Sequence, residues 1–83
     1  MCLPIIDIEA SCKNLKRLCK ERGYSATDLQ KALGLESCQA CYKWFSGKNL
    51  PSIDNLLIIS YLLDVTLEEI LVTKNVDVQK GDY

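Results

Sequence analysis

Gly23, Gly34, Gly47 and Pro51 punctuate this chain and mark where its elements must stop. Each stretch carries apolar residues at helical spacing with a hydroxyl residue just ahead of them, the signature of a capped helix. Ser11 is expected to open the first, whose buried stripe is Cys12, Leu15, Leu18 and Cys19, and Gly23 to end it. Ser25-Ala26-Thr27-Asp28 has the form of a capping box for the second, which buries Leu29 and Leu33 and closes at Gly34. The third is expected from near Ser37 to Ser46, with Gly47 just beyond it. Pro51 and Ser52 stop and restart the chain, so the fourth covers Ile53 to Leu63. Thr66-Leu67-Glu68-Glu69 caps a short fifth that ends near Leu71 or Val72. With 83 residues, 48% of them hydrophobic, the chain has material for one thin core. The expected fold is therefore all-α, a five-helix bundle over residues 10–73. An apolar arm (1–9) precedes it and a polar, flexible tail (74–83) follows.

Several function classes fall away. There is no histidine, which removes the commonest general base and the commonest metal ligand together. Carboxylates are scattered and no glycine-rich phosphate loop exists, so no enzyme, cofactor or metal site is expected. Five cysteines, Cys2, Cys12, Cys19, Cys38 and Cys41, point to reduced thiols in the cytoplasm. The opening residues have no basic segment and only the short apolar run Leu3-Pro4-Ile5-Ile6, so they do not read as a signal peptide. No stretch nears the roughly 20 apolar residues of a membrane span.

The net charge of -1 hides a division. Residues 13–23 carry +4, and 37–53 carry +2 with no acid at all, whereas 1–12 carry -2 and 64–83 carry -3. A surface polarised in this way can hold phosphate although the total is near zero.

The second and third helices are separated by the tight connection Gly34-Leu35-Glu36, which turns the chain steeply and projects the third helix outward, a helix-turn-helix. At about 100° per residue, Ala40, Cys41, Trp44 and Phe45 share one face of that helix, and Gln39, Tyr42, Lys43 and Ser46 the other. The second face suits a major groove. An amide such as Gln39 can pair with adenine, and Lys43 can reach guanine or a phosphate. Ser37 adds a hydroxyl at the helix start.

Three runs of residues carry a resemblance. The first is Leu15-Lys16-Arg17-Leu18 with Glu21-Arg22-Gly23-Tyr24-Ser25, Asp28-Leu29 and Leu33-Gly34-Leu35. The second is Gln39-Ala40-Cys41-Tyr42-Lys43-Trp44 with Gly47-Lys48 and Leu50-Pro51-Ser52-Ile53-Asp54-Asn55-Leu56. Val65-Thr66-Leu67-Glu68-Glu69-Ile70-Leu71 is the third. Together they resemble the Cro/phage-repressor (XRE-type) helix-turn-helix family over residues 10–72. Pro4 to Asp7 and the Gln39-to-Trp44 core also look like those of a subgroup from low-GC Gram-positive bacteria. The resemblance implies a lambda-repressor-like fold in the cytoplasm, and a transcriptional repressor, often a dimer on a palindromic operator in double-stranded DNA. Carried over by position, Ser37, Cys38, Gln39 and Lys43 would touch bases, while Ala26, Thr27, Ser46, Lys48 and Asn49 would touch the backbone. Ala26 stands where many members have a phosphate-binding Gln, and Cys38 where they have a polar residue or Pro.

Two features fall outside that pattern. Cys38 and Cys41 have the spacing of a redox or zinc motif at a helix start, so a thiol-sensing regulator is one alternative; the other places Cys41 as a small core residue. A protein-interaction or antitoxin module of the same fold is a third reading, though the tail is short for wrapping a partner. On the fourth helix, Ile53, Leu56, Leu57, Ser60 and Leu63 are expected to face inward. That leaves Ile58, Tyr61 and Leu62 as a second apolar side, on which Ile5 and Ile6 of the arm dock, within one chain or across a homodimer.

Overall fold

The computed structural model describes residues 1–77. Five helices stand in the expected order: α1 (Ile8–Arg22), α2 (Ala26–Leu33), α3 (Gln39–Phe45), α4 (Ile53–Leu63) and α5 (Leu67–Ile70). The fold is nevertheless not all-α. Strands β1 (Cys2–Ile6) and β2 (Thr73–Asp77) pair antiparallel, from Cys2 opposite Asp77 to Ile6 opposite Thr73. The expected arm is thus one strand of a ribbon, and Lys74 to Asp77 of the expected tail form the other. The rest of that tail, 78–83, lies outside the described residues.

The ribbon explains why α1 begins earlier than Ser11. Asp7 caps it, accepting from the Ala10 N–H at 3.0 Å, and the Asp7 N–H donates to the Val72 carbonyl at 2.8 Å. Ser11 is buried inside the first turns instead. Its Oγ accepts from the Val72 N–H (2.7 Å) and donates to the Val72 carbonyl (3.1 Å), joining α1 to the base of the ribbon. Nearby, Asn14 Nδ2 donates to the Glu69 and Ile70 carbonyls (2.6 and 2.9 Å), satisfying the free end of α5.

The Asp7–Val72 bond also fixes the alternation along β1. Residues at odd positions turn their N–H groups toward β2, so the nitrogen of Pro4 faces the outer edge. A proline there removes no ladder bond and takes one donor from that edge, midway between those of Cys2 and Ile6, which interrupts it against further pairing.

Leu15, Leu18, Cys19, Leu29, Cys41, Trp44, Leu56, Ile59, Leu63 and Ile70 form the core, with Cys12 also buried. On α4 the inward face is Leu56, Ile59, Ser60 and Leu63. Ile53 (77% exposed) and Leu57 do not share it, because the inward face is rotated toward Ile59, on the opposite flank of Leu56. Leu62 packs against the core, whereas Ile58 and Tyr61 stay exposed. Ile5 and Ile6, expected to dock on α4, sit in β1 opposite Lys74 and Thr73 and remain exposed. Tyr61, on α4, remains 81% exposed. Among the described residues no helix is long and apolar enough to cross a membrane.

Candidate nucleic-acid interface

The site is built on α2, α3 and the turn between them. Ser25 caps α2 in a reciprocal box with Asp28. The Ser25 N–H and hydroxyl both donate to the Asp28 carboxylate (2.8 and 3.0 Å), and these bonds hold that carboxyl below its ordinary range. The acid at the start of α2 is thereby turned back on its own cap, beside the exposed Thr27.

Gly34 ends α2 in the left-handed conformation (φ 69°), and the following Leu35 N–H donates to the Gln30 carbonyl at 3.0 Å. The connection is longer than the sequence suggests, because α3 starts at Gln39 and not near Ser37. Ser37 lies in the turn, exposed, and its Oγ accepts from the Gln39 N–H at 3.3 Å.

Cys41 and Trp44 are buried beneath α3, with Ala40 and Phe45 half-buried at its flanks. That anchoring leaves Gln39, Tyr42 (60% exposed), Lys43 and Ser46 in solvent, the division expected from the helical wheel. Ser46 turns its hydroxyl back onto the Lys43 carbonyl (3.0 Å). Lys48 and Asn49 follow on the same exposed stretch, where the Asn49 carbonyl accepts from the Cys12 thiol at 3.5 Å and ties the loop to α1. Neither Lys43 nor Lys48 enters an ion pair among the described residues; the pairs formed are Lys13–Glu9, Arg17–Glu21 and the amino terminus with Asp77.

Cys38 is placed differently from the other candidates. Its thiol is half-buried against α2, donating to Gln30 Oε1 at 3.7 Å, with Thr27 Oγ1 at 3.8 Å. Cys41 is wholly buried, and burial, then neighbouring Cys38, pushes its thiol pKa upward. A thiol held protonated in the core is a poor nucleophile and metal ligand. All five cysteines are free, and no cluster able to hold a metal occurs among the described residues. The residue that sequence reasoning missed is Gln30, whose partners lie in the turn and at the start of the next helix.

A model of the family described as helix-turn-helix matches residues 15–70, from the second half of α1 to the end of α5. The chain belongs to the helix-turn-helix family. Membership supports DNA-binding transcription regulation as its function. Among solved structures, this helix-turn-helix chain is similar to the restriction-modification controller protein C.AhdI from Aeromonas hydrophila. The TM-score is 0.66 and the identity 23%, over 77% of this chain and 96% of that one. The likeness bears on the fold. A search of curated proteins returns no match.

Proposed function

We propose that this helix-turn-helix protein is a sequence-specific repressor of the Gram-positive subgroup, without catalytic activity of its own, that reads the major groove with α3. In this reading Gln39 and Lys43 contact bases and Tyr42 lies along the groove wall. Thr27, Ser37, Ser46, Lys48 and Asn49 meet the sugar-phosphate backbone, which fixes register without reading sequence. Cys38 contributes through its contact with α2 and not as a base reader. Two copies bind a palindromic operator, joined over the exposed face of α4 that includes Ile58 and Tyr61, and exclude other proteins from the promoter.

The observation that carries this reading is the stripe on α3. An amide, a phenol and an ammonium stand exposed on a helix whose other side is anchored by a buried tryptophan. No carboxylate lies between Ser37 and Ile53 to repel phosphate. Of the alternatives, thiol sensing is disfavoured by the burial of Cys41.

Selection of binding sites from random duplex DNA tests the proposal. The wild-type chain should enrich one consensus. Gln39→Ala should lose discrimination at one base position, by roughly 1–3 kcal/mol, with the rest of the consensus retained. An unaltered consensus would remove Gln39 from its assigned role.

A further inference from the structure

The five residues from Gly34 to Cys38 that separate α2 from α3 form no regular element. One α2 side chain bonds them at two points. Gln30 Nε2 donates to the Leu35 carbonyl at 2.9 Å, while Gln30 Oε1 accepts from the Cys38 thiol at 3.7 Å. The Gln30 main-chain carbonyl accepts from the Leu35 N–H at 3.0 Å. The same residue therefore grips the turn at its second position and at the N-cap of α3. Cys38 has no capping bond of its own to α3, so its thiol is committed to α2. Because that thiol gives its hydrogen to Gln30, the Thr27 hydroxyl is the donor in the contact with Cys38 at 3.8 Å. A chain of polar contacts thus runs from the first turn of α2, through the start of α3, to the Leu35 carbonyl.

We infer that Gln30 is a positioning residue for DNA recognition, setting the path of the turn and so the angle at which α3 presents Gln39 and Lys43. The inference rests on the reading of α3 given above. Gln30 touches no base. It acts through Leu35 and Cys38, both half-buried and both packed against the core, so a change in its amide is passed to α3 by atoms that have little freedom to absorb it. Recognition is sensitive to such a change because base readout needs correct donor and acceptor positions, whereas attraction to phosphate needs only nearby charge.

The test compares the full chain with Gln30→Met, which keeps length and apolar stem and removes both side-chain bonds. Gln30→Glu is the second variant; it keeps an acceptor for Cys38 but sets a carboxylate against the Leu35 carbonyl. Affinity is measured on the duplex selected by the wild type and on a scrambled duplex of equal length, each across a salt series. Native-state amide exchange is followed in parallel.

The preference of Gln30→Met for the selected duplex should fall about tenfold, and that of Gln30→Glu further. Binding to the scrambled duplex and its salt slope should stay at the wild-type value. Exchange should quicken in residues 35–45 and not in α1 or α4. The inference is overturned if the preference is unchanged, or if selected and scrambled binding fall together, since a general loss of folded protein does the latter. A wild-type chain that selects no consensus would instead refute the reading of α3, and this inference with it. A selective wild type with an equally selective Gln30→Met would overturn the inference alone.

Discussion

Cys19 lies under α1 with almost no contact with water, and its thiol pKa is raised from 9.0 to about 11, chiefly by burial and secondly by Cys41. Burial raises the Cys12 thiol as well. The folded protein therefore holds protons that the unfolded chain releases once the pH passes about 9, so stability is full below that value and declines as pH rises toward 11. For Cys19 the decline is on the order of 2 kcal/mol across that window. Urea midpoints at about pH 8 and about pH 10.5 read it. The drop should be smaller in Cys19→Ala than in the wild type, because the variant has lost one of the thiols concerned. Equal drops would show that other groups govern alkaline unfolding. At this scale the sequence spacing of Cys38 and Cys41 misleads: two cysteines three apart suggest a shared chemistry, and packing sends one into the core and the other against α2.

The helices were legible because each end is written locally. Ser25 and Asp28, Gly34, Ser52 and Thr66 act within three or four residues of themselves, and the structure uses each as the cap or stop that its position implies. The ribbon was not legible, because β1 and β2 stand at opposite ends of the described chain and neither alternates strongly; Lys74 and Val76 share a face with Leu3 and Ile5. Ser11 shows the consequence. A serine ahead of an apolar stripe reads as a cap, yet Asp7 takes that role and Ser11 is left to bind Val72. Likewise, the exposed stripe of α3 follows from helical geometry alone, whereas Gln30 acts across two elements and gives no local signal. Ser11→Ala leaves the Val72 N–H without its acceptor in a part-buried place, which destabilises by roughly 1 kcal/mol. The effect belongs to one junction: exchange should quicken at Asp7 and along the ribbon amides while those of α3 keep their protection. A uniform increase over all helices would mean that the ribbon and the bundle open as one unit.

Charge and apolar exposure fall on different elements of the molecule. Basic residues are concentrated in α1 and along α3 and the loop after it, whereas residues 49–73 contain no Lys or Arg. Within that stretch α4 exposes Ile53, Leu57, Ile58 and Tyr61, and the shallow hollow between Leu57, Ile58 and Tyr61 has no occupant from β1. Apolar area of this kind, on a helix that carries no Lys or Arg, suits a contact between two copies made outside α3. Symmetry then sharpens the test, since a substitution at a two-fold contact is met twice. Tyr61→Asp places two carboxylates in one apolar interface, and desolvating them opposes association far more than it affects the isolated chain, in which Tyr61 is already solvated. Sedimentation should show a wild-type dimer at micromolar concentration and a Tyr61→Asp monomer, with the two unfolding midpoints converging as the protein is diluted and the wild type dissociates. Operator affinity should fall about a hundredfold in the variant, because each half-site then binds without the local concentration supplied by its neighbour. A single half-site duplex should not distinguish the two proteins, since one copy makes all the contacts there. A wild-type chain that stays monomeric at that concentration and still binds the full operator as tightly would separate reading from pairing, and would leave α4 without a role in DNA binding.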